Sequence, residues 1–194
     1  MPVSWILLLL VGVLALAAAA RLTWSWFHYR GDRLVTCPEN MRPAGVRLDA
    51  RHAVATGLVK GADLRLATCS RWPEKAGCGQ ECLTQIQASP AGCLVKNILT
   101  EWYDDEVCAS CGRLFGPINW AGPKPAVRMA DARTLDWDEI PVDQLRDVLA
   151  KSVPICFACN MANRLVKEHP DLAIDRGRPA LTSGNREIPP MRLT

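Results

Sequence analysis

The stretch "CASCGRLF", residues 108–115, decides how the C-terminal half of this chain folds. It contains two cysteines with two residues between them, Cys108 and Cys111. This spacing lets both thiolates reach one ion from a single turn, about 2.3 Å away, in a tetrahedral site. The same spacing returns in "CFACNMAN", at Cys156 and Cys159. The two pairs therefore predict one metal site with four thiolate ligands.

The residues around the two pairs favour the same site. Gly112 follows the first pair, and glycine accepts a positive φ at which backbone amides turn toward the sulfurs. Such donors matter because a zinc ion held by four thiolates carries excess negative charge. The second pair begins a predicted helix, which Pro170 ends. Thiolates at a helix N-terminus gain from the dipole there, which lowers their pKa.

An uncharged apolar run opens the chain, from Val3 to Ala20. A helix of about 20 mostly apolar residues crosses a hydrocarbon core of roughly 30 Å, so this run is long enough. Aromatic residues, which settle at lipid headgroups, flank the run: Trp5, Trp24, Trp26, Phe27 and Tyr29. A cleaved signal peptide is the alternative, since "ALAAAA" offers small residues, but no basic segment precedes the apolar core. We expect residues 1–30 to be an uncleaved anchor in the lipid bilayer.

The basic residues near this run all follow its apolar centre, as Arg21, Arg30 and Arg33. Positive charge near a span tends to remain cytoplasmic, so we expect the C-terminal domain in the cytoplasm. In that reducing compartment, nine cysteines indicate metal ligands or catalytic thiols rather than structural disulfides. An odd number of cysteines also cannot pair completely. The opposite, periplasmic orientation would instead make disulfides available.

The sequence after the anchor predicts an α+β domain of about 140 residues, within the usual size of one domain. Short strand-like pieces come first, and helical periodicity follows. The expected strands are 33–37, 46–50 and 64–69, and the expected helices are 79–87, 90–103 and 141–151, with a hairpin over 126–140. We assign 31–107 to a cysteine-rich half, 108–174 to a metal-binding half and 175–194 to a disordered tail. No internal repeat is evident beyond the two cysteine pairs.

The turn "CASCG", residues 108–112, is a knuckle that carries the first cysteine pair. A hairpin follows it, and then a helix supplies the last two cysteines. This order resembles the treble-clef and zinc-ribbon group. The resemblance covers Cys108 to His169, and it implies ligation from the knuckle and from the start of the helix. The chain departs from the common pattern in the helix 141–151 between the pairs, and in Asn160, where a knuckle often has glycine. As a whole the chain also resembles bacterial single-span, cysteine-rich membrane proteins. That resemblance implies an inner-membrane location and supplies no catalytic residue.

Zinc is the ion that four thiolates in a reducing compartment favour. Iron in the same ligand set stays open, because geometry separates zinc from rubredoxin-type iron poorly. Disulfides or free thiols are the remaining alternative. Covalent haem needs a histidine directly after each C-x-x-C, and Gly112 and Asn160 stand there instead. A thioredoxin-like site would have one such pair after a strand, whereas this chain has two.

The other five cysteines form a weaker pattern. Cys69, Cys78, Cys82 and Cys93 are candidates for a second metal site, with Cys37 as an alternative ligand. Cys78 and Cys82 are four residues apart, which would place them on one face of a helix. The alternatives are disulfides, an iron–sulfur cluster, or buried thiols that behave as small apolar side chains. We therefore expect one zinc ion, or two.

Composition and motifs narrow the function classes. The net charge of +3 is too small to indicate a nucleic-acid-binding surface. We find no phosphate-binding glycine loop and no Ser/His/Asp arrangement in the sequence, so we assign no catalytic residue. The sequence favours a membrane-tethered, zinc-stabilised cytoplasmic binding or scaffold module with a protein partner. The alternative is a redox protein that uses surplus thiols or an iron site. A third class is a membrane-bound enzyme, but no arrangement of residues in the sequence supports it.

Overall fold

The structure is a computed structural model that describes residues 3–57, 61–72, 74–75 and 77–172. The chain divides into two compact units, Met1–Asn160 and Met161–Thr194. Helix α6 (Phe157–Glu168) begins in the first unit and continues into the second. The α+β class expected from the sequence is confirmed. The tail expected to be disordered, 175–194, lies outside the described residues.

The first unit combines helices with two small antiparallel sheets. Besides the start of α6, its helices are α1 (Val3–Tyr29), α2 (Ala50–Gly57), α3 (Leu83–Ala88), α4 (Val95–Tyr103) and α5 (Leu145–Lys151). Its strands are β1 (Asp32–Thr36), β2 (Pro43–Leu48), β3 (Leu66–Cys69), β4 (Ala126–Met129), β5 (Thr134–Leu135) and β6 (Ser152–Ile155). Two 3₁₀ helices, Trp137–Glu139 and Val142–Gln144, lie between β5 and α5, and a third, Pro170–Leu172, follows α6.

The first sheet has the strand order β1-β2-β3, and both of its pairs are antiparallel. Val35, Val46 and Leu66 form an apolar cluster with Ile86 of α3. Branched side chains of this kind pack well on a pleated, half-buried surface. Cys82 is part of the same cluster, so the sheet borders the second group of cysteines.

The second sheet has the order β5-β4-β6, so β4 is its central strand. The hairpin predicted over 126–140 is confirmed as β4 and β5, with its turn at 130–133. Strand β6 was not predicted, because a proline within four residues hides the strand pattern. Pro154 lies opposite Val127 of β4 in the antiparallel register.

The helical segments are shorter than the sequence predicts. Non-helical backbone occupies 78–82 and turns occupy 90–93, so α3 and α4 begin later than expected. Cys78 and Cys82 are therefore not on one helix face. The helix predicted over 141–151 is present as a 3₁₀ turn followed by α5. Helix α2 was not predicted.

A central apolar cluster joins the two sheets. Leu34 of β1 and Leu99 of α4 pack with Val127, Ile140 and Leu145, and all five are buried. The backbones approach closely here, since a Cβ added at Gly45 would lie 2.7 Å from the Cβ of Val142. Residues on both sides of position 107 therefore share one core.

Helix α1 is the one described helix that is long and apolar enough to cross a membrane, over Ser4–Tyr29, so it is a candidate anchor or signal sequence. Its last turn is built into the domain, because Tyr29 packs against the cluster of the first sheet. The buried Arg33 guanidinium donates to the carbonyl oxygen of His28 at 2.8 Å and to that of Pro90. Arg33 is therefore a structural residue rather than a flanking surface charge.

Candidate metal centre

The structure brings the sulfur atoms of Cys108, Cys111, Cys156 and Cys159 within 4.8 Å of one another. The Sγ atoms of Cys111 and Cys156 are 3.9 Å apart. A tetrahedral ion with sulfur ligands at about 2.3 Å requires sulfur–sulfur distances of about 3.8 Å. The four thiols thus form a group that could hold a metal ion with little movement. It is the one such group found in the described part of the chain.

The first cysteine pair lies in a tight loop closed by two backbone hydrogen bonds. The amide of Cys108 donates to the carbonyl of Arg113 at 2.9 Å, and the amide of Gly112 donates to the carbonyl of Cys108 at 2.8 Å. Gly112 has a φ of 69°, as expected from its place after the pair. Val107 and Leu114 pair across the base of the loop.

Strand β6 delivers the second cysteine pair to this loop. The carbonyl of Pro154 accepts a hydrogen bond from the amide of Ala109 at 2.9 Å. The amide of Cys156 then donates to the sulfur of Cys108 at 3.2 Å. Helix α6 begins at the next residue, so Cys159 lies in its first turn. The sequence pattern found the cysteines but not the strand that positions two of them.

Hydrogen bonds shift the pKa values of two thiols of the cluster in opposite directions. Burial alone would raise the pKa of Cys108, but the amides of Cys156, Cys111 and Ser110 lower it to about 6. The side chain of Cys156, followed by burial, raises the pKa of Cys159 to about 12. The hydrogen bonds thus favour a thiolate at Cys108 and a proton at Cys159. A metal ion that binds all four sulfurs would displace that proton.

Two polar contacts hold the surrounding backbone in place. Asn160 is buried, and its Nδ2 donates to Oδ1 of Asp136 at 2.9 Å. Asn160 thus ties the start of α6 to the segment after β5. The guanidinium of Arg128 donates to the hydroxyl of Ser110 at 3.0 Å, which places a cation at the loop. A cation is favourable beside a thiolate-rich centre.

The remaining cysteines divide into a group of four and a single residue. Cys37, Cys69, Cys78 and Cys82 line one cavity of about 110 Å³. Cys93 is not among the described residues that line it, and its sulfur instead lies 3.7 Å from the carbonyl oxygen of Gln85. The structure therefore gathers three of the candidates for a second site around the alternative ligand Cys37.

No protein-family model, curated protein or solved structure matches the chain. The resemblance to the treble-clef and zinc-ribbon group remains a resemblance in the order of elements. The four-cysteine cluster and the apolar helix α1 are what the structure itself supplies.

Proposed function

We propose that this chain is a membrane-tethered binding or scaffold module whose domain is stabilised by zinc. The observation that carries the proposal is the cluster of Cys108, Cys111, Cys156 and Cys159 at near-tetrahedral sulfur spacing. Four protein thiolates leave no coordination position for water or substrate, so the ion would be structural. Its role is to join the knuckle to β6 and α6.

The continuity of α1 supports an uncleaved anchor. The helix of 27 residues is about 40 Å long at 1.5 Å per residue, so it exceeds the hydrocarbon thickness. Cleavage after "ALAAAA" would cut inside this continuous helix. Arg21 and Arg30 are exposed on its C-terminal side, and they favour a cytoplasmic domain at a bacterial inner membrane.

A groove beside the metal centre supports the binding role. It has a volume of about 300 Å³, and Leu114, Phe157 and several prolines line it. The side chains of Leu114 and Phe157 are 61% and 42% exposed. Exposed apolar side chains that line one groove favour a protein interaction site. We therefore propose a protein partner for this face.

The metal is tested on the full chain, purified in detergent without added metal. We expect bound zinc and no visible colour, and we expect Cys111→Ser to bind one equivalent less than the parent. Cys93→Ser is the matched control, because Cys93 lies outside the cluster and should keep the parent's metal content. A coloured iron protein would support the redox alternative. Unchanged zinc in Cys111→Ser would remove the proposed centre.

The anchor is tested separately with a reporter fused after Thr194 and with the N-terminal sequence of the mature chain. We expect a cytoplasmic reporter signal and an intact N-terminus. A periplasmic signal, or a mature chain that starts near Arg21, would contradict the proposed topology without affecting the metal centre.

A further inference from the structure

Residues 37–42, "CPENMR", fold into the same kind of loop as residues 108–113, "CASCGR". The amide of Cys37 donates to the carbonyl of Arg42 at 2.8 Å, and the amide of Met41 donates to the carbonyl of Cys37 at 2.9 Å. In both loops the cysteine therefore bonds to the residues four and five positions later. The two loops thus share a backbone structure, although residues 37–42 contain no cysteine pair in the sequence.

Two further features of the backbone agree. Met41 has a φ of 55°, at the position where Gly112 has a φ of 69°. This left-handed conformation is uncommon for a residue with a side chain. Thr36 and Pro43 pair across the base of the loop, as the residues flanking 108–113 do. We therefore call both loops knuckles, since the same positions carry the hydrogen bonds, the left-handed residue and the flanking pair.

Both knuckles also direct backbone amides at a sulfur. The amides of Glu39 and Asn40 and the guanidinium of Arg71 donate toward the sulfur of Cys37. The two amides belong to the residues two and three positions after the cysteine, as at Cys108. Asn40 occupies the place of the second knuckle cysteine. Its side chain turns back and accepts a hydrogen bond from the amide of Arg42 at 3.1 Å.

Three more thiols share a cavity with this knuckle. Cys69 ends β3, and Cys78 and Cys82 precede α3. All three line the cavity of about 110 Å³ together with Cys37. Cys82 is the buried member of the four, and the other three are partly exposed. The four thiols therefore line the walls of one small cavity.

The charges around this cavity suit a thiolate-rich ion. Nη1 of Arg71 lies 3.2 Å from the sulfur of Cys37, and Lys75 also lines the cavity. A divalent ion with four thiolates carries excess negative charge, which the guanidinium at the Cys37 sulfur would offset in part, while Glu39 and Glu81 of the same lining counter the two cations. Both cations also approach Glu39, at 3.7 Å and 3.5 Å, so the pair is held beside the knuckle.

From the second knuckle and the cavity beside it, we infer that Cys37, Cys69, Cys78 and Cys82 hold a second soft divalent metal ion, zinc. The knuckle supplies one ligand, Cys37, instead of two. Cys69, Cys78 and Cys82 supply the other three ligands. These sulfurs are less closely gathered than those of the first centre, so binding would draw them together. This inference extends the proposed function from one ion to two, and neither site requires the other.

The test uses the full chain in detergent, with zinc content per chain as the first readout. Two equivalents are expected in the parent and in Cys93→Ser, and one equivalent in Cys69→Ser and in Cys78→Ser. One equivalent in the parent, or two in Cys69→Ser, would overturn the second site. Loss of zinc in Cys111→Ser tests the first site separately. Failure of the second site can therefore be distinguished from failure of the first.

Alkylation of the parent chain tests the second site in a way that does not depend on the folding of any variant. Thiols are labelled with and without a zinc chelator, and the labelled cysteines are mapped by mass spectrometry. We expect Cys37, Cys69, Cys78 and Cys82 to react slowly until the chelator is added. Labelling of Cys37 or Cys78 at the same rate with and without the chelator would overturn the proposal.

Discussion

The two knuckles of this chain have the same hydrogen bonds and the same left-handed residue, yet only one of them looks like a metal motif in the sequence. In 108–113 the fourth position is Cys111, and in 37–42 it is Asn40. The loop conformation thus depends on backbone hydrogen bonds and pairing at its base rather than on a second cysteine. A search for paired cysteines finds the first knuckle and misses the second.

The surroundings of the two knuckles differ in how fully they are prepared for an ion. The first has four sulfurs within 4.8 Å of one another, and the amide of Cys156, directly after β6, donates to the sulfur of Cys108. The second has a more open set of thiols and a guanidinium at its sulfur. Preorganisation lowers the cost of binding, so the first centre should bind its ion more tightly.

The largest difference should appear when the first cysteine of each knuckle is replaced. Cys108→Ser should lose the first ion and the structure that it holds, the knuckle with β6 and the start of α6, because structural zinc contributes about 10–16 kcal/mol in small zinc domains. Cys37→Ser should lose one equivalent of zinc but keep its secondary structure. Metal analysis with circular dichroism measures both.

Cys93→Ser is the control for this pair, since it alters a half-buried thiol outside both sets. Equal loss of structure in Cys108→Ser and Cys37→Ser would show that the two centres are equally important for stability. Full zinc content in Cys108→Ser would contradict the first centre itself.

Stepwise chelation is the next comparison. Increasing chelator should release the second ion first, at a concentration where helical and sheet signals are largely kept. Release of the first ion should then unfold the unit in one transition, because Leu34 and Val127 share a core that spans both sheets. In Cys69→Ser only the later release should remain. A single release step of two equivalents in the parent would contradict the expected order.

The sequence predicted the parts of this structure that have strong local signals. The apolar run became α1, and the residues 126–140 became a hairpin with the expected turn. The positive φ of Gly112 was also expected from its place after a cysteine pair. In each case the signal lies within a few neighbouring residues.

The features that the sequence did not predict depend on distant contacts. Strand β6 exists because β4 pairs with it, although Pro154 weakens its own strand pattern. Arg33 reads as a flanking charge, but it binds the carbonyl oxygen of His28 inside the domain. Cys37 and Cys69 each end an expected strand and were expected to meet, but the position of Cys93 outside their cavity depends on the fold and was not predicted.

A rescue experiment tests whether the two knuckles are equivalent. Cys78→Ser should leave the second site with three thiolates and lose its zinc. Adding Asn40→Cys places a thiol where Cys111 stands in the first knuckle, so the double variant should regain most of the second equivalent. Asn40→Cys alone measures the cost of losing the hydrogen bond to Arg42. If the double variant binds no more zinc than Cys78→Ser, the side chain at position 40 does not face the ion.

The smallest expected effect comes from the left-handed residue of each knuckle. Gly112→Ala should destabilise the protein, because a Cβ in this conformation costs roughly 1–2 kcal/mol. Met41→Gly should remove that strain and lose few contacts, since Met41 is 75% exposed. Glycine costs about 0.5–1 kcal/mol in unfolded-state entropy, so the net gain should be about 0.5 kcal/mol. Thermal unfolding of the zinc-loaded chain should then show a rise of one or two degrees for Met41→Gly, by the usual scaling of about 2–4 °C per kcal/mol, and a fall for Gly112→Ala. A lower midpoint for Met41→Gly would mean that the methionine side chain stabilises the second knuckle, and the two loops would differ in more than their fourth residue.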